Sequence, residues 1–420
     1  MKYRHRVLAF LFSLSIITYL DRVCISVAGS RMEADLGLSA KQWGWVLGSF
    51  ALAYAIFELP SGALGDRIGP RRVLTRIVLW WSAFTSLTGL ARGFSSLLAL
   101  RFLFGAGEAG AYPNGAATIA RWFPARENAR AQSINWMGGR VGGAVTPLLV
   151  VPVMLHFGWR TAFFVFGLLG ALWAAVWYVW FRDSPAEKAG VSAAEMEEIG
   201  EAGRRREADG PVPWRRIFSQ PNLWWIMLMY HTYCWLGYFF LSWMHTFLVQ
   251  ARGYSPQDLV KFTWMPFVLG AITCPLGGWV SDALARRIGL KWGRRLVGIA
   301  GLGLSAVCML AATQTRDKTF TVVWIGLALG ACDFMLPAAW AVCLDIAGIH
   351  AGTVSAAMNS AGQVGSFLTA VAFGYLVSAT GSYEAPLYLM AGMAAISALL
   401  WLKIDPTLPI LAERVDPAAA

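Results

Sequence analysis

About twelve apolar segments, each near the roughly 20 residues a helix needs to cross a 30 Å hydrocarbon core, constrain this chain more than any other feature. They cover about 8–28, 42–65, 73–91, 95–118, 131–153, 160–181, 223–249, 259–281, 296–313, 320–345, 352–377 and 385–403. In lipid the backbone must satisfy its own hydrogen bonds, so segments of this length and number read as spanning helices. The expected fold is all-α, with twelve transmembrane helices. Only 14% of the 420 residues are charged, against about 25% in soluble domains. The 21 Trp and 24 Phe suit interfacial belts, and the 43 Gly suit close helix packing. Cys24, Cys234, Cys274, Cys308, Cys332 and Cys343 all lie in apolar stretches at no framework spacing, so they read as core residues.

The net charge of +11 is spread between the apolar runs. Nucleic-acid binding would need it gathered on one soluble face, so no nucleic-acid partner is expected. The first apolar run passes through Asp21 and Arg22 without a small-residue cleavage pattern, which makes it a span and not a leader. With the N-terminus inside, one face collects Lys2, Arg4, Arg6, Arg67, Arg71, Arg72, Arg76, Arg121, Arg126, Arg130, Arg286, Arg287, Lys291, Arg294 and Arg295. The other face holds a scatter such as Arg31, Arg92, Arg160, Arg252 and Lys318. By the positive-inside rule both termini are cytoplasmic, and a bacterial inner membrane is the expected location.

One long polar stretch divides the chain into a six-helix bundle (1–181), a cytoplasmic linker (182–222), a second six-helix bundle (223–403) and a tail (404–420). In the linker, Ser192 lies three residues before Glu195, a capping-box spacing, and Arg204, Arg205 and Arg206 follow. A short amphipathic helix tethered to the membrane surface is expected there. The halves also repeat. Gly62, Asp66, Arg67, Gly69, Arg71 and Arg72 form a turn between spans two and three, with a longer counterpart at Gly278, Asp282, Arg286, Gly289, Arg294 and Arg295. Positive-inside turns explain the arginines but not an aspartate at the same place in both halves. Such an aspartate suits a gate latch that caps a helix N-terminus or pairs with Arg. Repeated halves point to a transporter with its substrate site near the midplane.

A charge at the bilayer centre costs from about 2.5 to more than 10 kcal/mol, so each one is a functional candidate. The first half offers Asp21, Arg22, Glu58, Arg101, Glu108 and Arg140, and the second Asp333 and Asp345, besides His231 and His245. Arg101 and Glu108 are two helical turns apart, on similar faces at depths differing by about 10 Å. Two Arg and two carboxylates can pair while the site is empty. An arriving organic anion then frees a carboxylate to take a proton, which couples the two. Glu58, beside Leu59 and Pro60, reads as pairing with a basic loop residue, and Arg140, among glycines, as an interhelical pairing residue. No metal, nucleotide or nucleophile–base spacing is present, so neither an enzyme nor a cofactor other than the coupling proton is expected.

The turn Gly62 to Arg72 resembles the signature loop of the major facilitator superfamily. More specifically, Tyr19-Leu20-Asp21-Arg22, Gln42-Trp43-Gly44 and the run from Arg101 through Glu108 to Asn114 resemble its anion:cation symporter branch, which includes galactonate, glucarate and hexuronate transporters. The resemblance implies two pseudo-symmetric six-helix halves. It associates the acids at Asp21 and Glu108 with proton coupling. Tyr19, Arg22, Tyr54, Arg101 and Asn359 take substrate-binding roles by the same resemblance, and His231 could face the same cavity. Asp333 departs from the pattern, because an ionised carboxylate facing the site would repel an anion. The expected function is import of an organic anion, such as an aldonate, aldarate or hexuronate, with protons, by a monomer in contact with membrane lipids. An efflux antiporter or a non-transporting membrane sensor remains the alternative.

Overall fold

The computed structural model describes residues 2–38, 40–200, 212–255, 258, 262 and 264–410. Among them there are helices and short connections and no strand. The first half comprises α1 (Tyr3–Leu36), α2 (Ala40–Ile68), α3 (Pro70–Thr88), α4 (Phe94–Glu108), α5 (Ala111–Trp122), α6 (Asn128–Phe157) and α7 (Trp159–Trp180). After the connector helix α8 (Ala193–Ile199), the second half comprises α9 (Pro221–Gly237), α10 (Met244–Arg252), α11 (Met265–Ile288), α12 (Leu290–Gln314), α13 (Lys318–Ala347), α14 (Ala351–Thr380) and α15 (Ala385–Leu400). Helices α4 and α5 together make the fourth span, and α9 and α10 the seventh.

Single glycines reverse the chain at equivalent points of the two halves. Gly69 between α2 and α3 has φ +86°, and Gly289 between α11 and α12 has φ +87°. Only glycine adopts this backbone cheaply, and Pro70 then occupies the first turn of α3, where its missing N–H costs nothing. Glycines also bring the halves together. A Cβ on Gly62 of α2 would lie 2.5 Å from the Gly352 carbonyl of α14, and one on Gly278 of α11 would lie 2.6 Å from the Ala129 carbonyl of α6. Small residues allow this backbone approach, which dispersion and packing then hold. Large apolar side chains such as Phe157, Val179 and Tyr375 face outward, while Trp81, Trp122 and Trp340 are fully buried.

The fourth span is broken where one continuous helix was expected. Gly110, at φ +92°, turns the chain between α4 and α5, and a Cβ there would lie 2.5 Å from Ser61. Asn114 holds the break by donating to the Gly110 carbonyl at 2.8 Å and the Ser61 carbonyl at 3.2 Å. The connector helix is tied to the start of the chain. The Ser192 hydroxyl accepts from the Glu195 N–H, but the Glu195 carboxylate does not return to Ser192. It accepts from the N–H groups of Tyr3 and Arg4 at 3.1 and 2.9 Å, so α8 caps the start of α1. Glu198 adds an ion pair to Arg4 at 2.8 Å. The Arg204–Arg206 run and the tail beyond residue 410 lie outside the described residues.

Candidate functional site

Helix α1 carries Tyr19, Asp21 and Arg22 inward, α2 carries Tyr54 and Glu58, and α4 ends on Glu108 at the break. Arg22 Nε donates to Glu108 Oε1 at 2.5 Å. The guanidinium lies 4.9 Å from the Tyr54 ring, 5.1 Å from Phe50, and 5.9 Å from Tyr19 and Tyr112. Aromatic faces stabilise a desolvated cation without neutralising it. Arg22 Nη2 and Glu108 Oε2 have no protein partner, so the pair is incomplete on both sides. Arg101 packs on Phe50 and Phe104 at 5.1 and 4.6 Å without an ion pair. Both oxygens of Asp21 lack a hydrogen-bond partner, with Arg101 as the neighbouring cation.

A second charged pair crosses between the halves. Arg140 of α6 binds Asp333 of α13 bidentately, at 2.7 and 2.6 Å, and donates its remaining terminal nitrogen to the Tyr19 hydroxyl at 3.0 Å. Asp333 is thus held by Arg140, which takes the interhelical pairing role its glycine-rich surroundings suggested, and presents no free charge to an anion. Gly270 of α11 makes room, since a Cβ there would lie 2.1 Å from Asp333 Oδ2. Glu58 differs from expectation. It is fully buried and meets no basic loop residue, because its position on α2 turns it toward α14, where Asn359 donates to Oε1 at 2.5 Å. Asn359 is thereby engaged with Glu58. His231 has both ring nitrogens engaged within its own half: Nδ1 donates to the Ala361 carbonyl at 2.9 Å, and Nε2 accepts from the Trp235 indole at 3.2 Å. The indole can only donate, which fixes this tautomer.

Below the arginines, Tyr112 stacks on Trp136 with centroids 4.1 Å apart, and Trp340 of the other half lies 5.3 Å from Trp136. The Trp340 indole donates to the Tyr230 hydroxyl at 3.1 Å. This aromatic floor separates the arginines from the face that bears the arginine-rich turns, called here the basic face.

At the basic face each half caps a helix of the other. Asp66 accepts from the Gly352 N–H at 2.8 Å, the Thr353 N–H at 2.6 Å and the Thr353 hydroxyl at 2.7 Å, all at the N-terminus of α14. Asp282 accepts from the Arg130 N–H in the first turn of α6 at 3.0 Å and from Arg294 at 2.7 Å. Arg294 also holds Asp345 at 3.0 Å. The other turn residues do not reach across. Arg71 donates from its N–H to Asp183 and from Nε to the Tyr178 carbonyl within the first half, and Arg67, Arg72 and Arg286 are exposed. Arg121, which the loop pattern did not single out, is buried and donates to the Asp66 carbonyl at 3.3 Å. At the opposite face the described ion pairs stay within halves: Arg160 with Asp35, Arg252 with Glu384, and Lys318 with Asp258. Toward that opposite face, beyond the Arg140–Asp333 pair, the halves meet through apolar side chains, with Phe367 near Gly48 and Phe267 near Gly143.

Two six-helix halves clasped at one face around buried, half-paired arginines define an integral, multi-pass membrane transporter, not an enzyme. Residues 11–291 and 284–418 match the Major Facilitator Superfamily, and the chain belongs to that family. It is 35% identical to the probable sulfoacetate transporter SauU of Cupriavidus necator, over 98% of this chain and 96% of that one. It is 29% identical to the hexuronate transporter of Bacillus subtilis, over 94% and 92% of the two chains. The solved structure of the proton:xylose symporter XylE, with 6-bromo-6-deoxy-D-glucose bound, superposes with a TM-score of 0.76 at 14% identity, covering 96% of this chain and 95% of that one.

Proposed function

We propose that the protein imports a small organic anion, a sugar acid being the first class to test, together with protons, by rocking its two halves about the Arg22 site. The observation that carries this reading is the incomplete pair: Arg22 retains an unpartnered N–H and Glu108 an unpartnered oxygen inside a ring of aromatics. A carboxylate entering there gains a charge-assisted hydrogen bond from Arg22. Glu108, displaced from its cation, gains reason to bind a proton. Asp21, one residue from Arg22 and without a hydrogen bond, is the second acid of the set. The names of the similar chains, a sulfoacetate and a hexuronate transporter, support an anionic cargo. The clustering of Lys and Arg on the basic face supports both termini lying in the cytoplasm of a bacterial inner membrane. Interface-spanning glycines within a single chain support a monomer as the working unit.

Counterflow in proteoliposomes tests the proposal with labelled D-galactonate, D-glucuronate, D-glucarate and sulfoacetate, each also challenged with a pH gradient. Exchange of one or more anions, with accumulation when the outside is acidic, is the expected result. Exchange without gradient-driven accumulation refutes proton coupling, binding without exchange identifies a sensor, and indifference to every acid removes the anion reading.

A further inference from the structure

Glu58 is a carboxylate without a counter-ion. It lies on the seam between α2 and α14, fully buried, with Asn359 on Oε1 and nothing on Oε2. The membrane-embedded centre holds three arginines, Arg22, Arg101 and Arg140, and four carboxylates, Asp21, Glu58, Glu108 and Asp333. Arg22 is paired with Glu108 and Arg140 with Asp333. Arg101 is the cation beside Asp21. Asp21 and Glu58 are in neither ion pair, and of the two only Asp21 has beside it a cation that no carboxylate holds. An ionised carboxyl out of water and out of ion-pair reach is the least tolerable state of such a group.

We propose that Glu58 is a proton-carrying residue of the transport cycle, holding a proton while the basic face is shut and giving it to water when α2 and α14 part. This rests on the proton-coupled reading above. The groups that face Glu58 are Tyr54 on its own helix, Arg22 of α1, Glu108 of α4, Asn359 of α14, and Tyr230 and Cys234 of α9. Arg22 is the one cation of the set, and Glu108 already occupies it.

The placement gives the proton a way in and a way out. Tyr54 is one helical turn from Glu58, shares its face, and has a hydroxyl without a partner beside Arg22. A proton therefore reaches Glu58 from the arginine site. In the other direction the seam runs from Glu58–Asn359 through Gly62–Gly352 to Asp66–Thr353. Eight residues separate Glu58 from Asp66, about 12 Å along the helix. Opening the latch thus exposes the carboxyl to water at the basic face. One proton enters from the site and one leaves by the seam in each cycle, so the residue is restored.

Infrared spectroscopy of the purified full-length protein reads the proton directly. The protonated-carboxyl C=O band should shift in D2O and on growth with glutamate labelled at the carboxyl carbon, and Glu58→Gln should remove that glutamate band. Glu58→Gln keeps the shape and the oxygen that accepts from Asn359, so counterflow of D-galactonate or sulfoacetate, whichever the wild type exchanges, should persist. Protons moved per anion, counted with a pH electrode, should fall by one. An unchanged glutamate band in the mutant, or no such band in the wild type, overturns the proposal. Wild-type coupling with an unchanged proton count in Glu58→Gln overturns it alone, whereas wild-type uptake without proton movement overturns the coupled reading and this proposal together.

Discussion

Asp66→Asn isolates the latch. The aspartate makes three hydrogen bonds to the N-terminus of α14, two through Oδ2 and one through Oδ1. Asparagine keeps one acceptor oxygen, which serves the two Thr353 donors, and turns an NH2 group toward the Gly352 N–H, so that bond is lost. Charge-assisted bonds are worth about 1.5–3 kcal/mol, and the charge at a helix N-terminus adds about 0.3–1 kcal/mol. Together they give about 2–4 kcal/mol, a shift on the order of 30- to 1,000-fold toward a basic face that is open. Arg22 and Glu108 lie beyond the aromatic floor and are untouched, so intrinsic affinity for an anion should hold while exchange slows. The shift can be read from spin-label distances across the α2–α14 seam. An unchanged distance distribution, or lost affinity with normal exchange, would refute the latch assignment.

Asp21→Asn or Glu108→Gln should abolish gradient-driven uptake while exchange of internal for external anion survives; gradient-driven accumulation retained in both mutants would move coupling elsewhere. Asp333→Ala leaves Arg140 buried and unpaired and should cost about 3–5 kcal/mol, whereas Arg140→Met with Asp333→Leu should recover most of it; thermal melts in detergent showing the double variant no better than the single would contradict this. Gly62→Val places side-chain atoms against the Gly352 carbonyl, already 2.5 Å from an ideal Cβ. It should block closure, seen as continuous labelling of a seam cysteine from the basic face, and protection equal to wild type would refute it. In Asp405, partial burial pushes the carboxyl up, but Lys291 at 2.6 Å and Thr407 outweigh it and hold it at about 2. Its stabilisation is therefore present above the usual carboxylate value and lost as pH falls through about 2. Asp405→Asn should lower the melting temperature at pH 7 and not at pH 2; an equal effect at both would dismiss the pair.

The twelve spans were legible because hydrophobic length is a one-dimensional property, and so was the repeated aspartate, because a carboxylate among arginine-rich turns is anomalous wherever it recurs. Partners were not. Glu58 sits near a proline and a basic turn in sequence, yet its helical phase sends it to Asn359, about 300 residues away. Arg140 and Asp333 are 193 residues apart, and nothing in either neighbourhood names the other. Three arginines and four carboxylates well inside the spans could have been counted from sequence; which of them pair required the fold. The break at Gly110 was hidden for a related reason. Glycine is common in membrane helices, and only the crowding against Ser61 distinguishes this one.

The two faces of the molecule are closed by different kinds of surface, and temperature will tell them apart. Closure at the basic face buries carboxylates, N–H groups and guanidinium, whereas contact between the halves farther out is made by Phe367 and Phe267 against glycine. Burial of apolar surface lowers heat capacity and burial of polar surface raises it, so the two closures respond to cooling with opposite curvature. Apolar association also weakens in the cold. The expected outcome is that a chilled sample is enriched in carriers shut at the basic face relative to the same sample at growth temperature, which spin-label distances across the seam at the two temperatures would check. Apparent affinities measured on ice and in warm vesicles describe different mixtures of the same molecule.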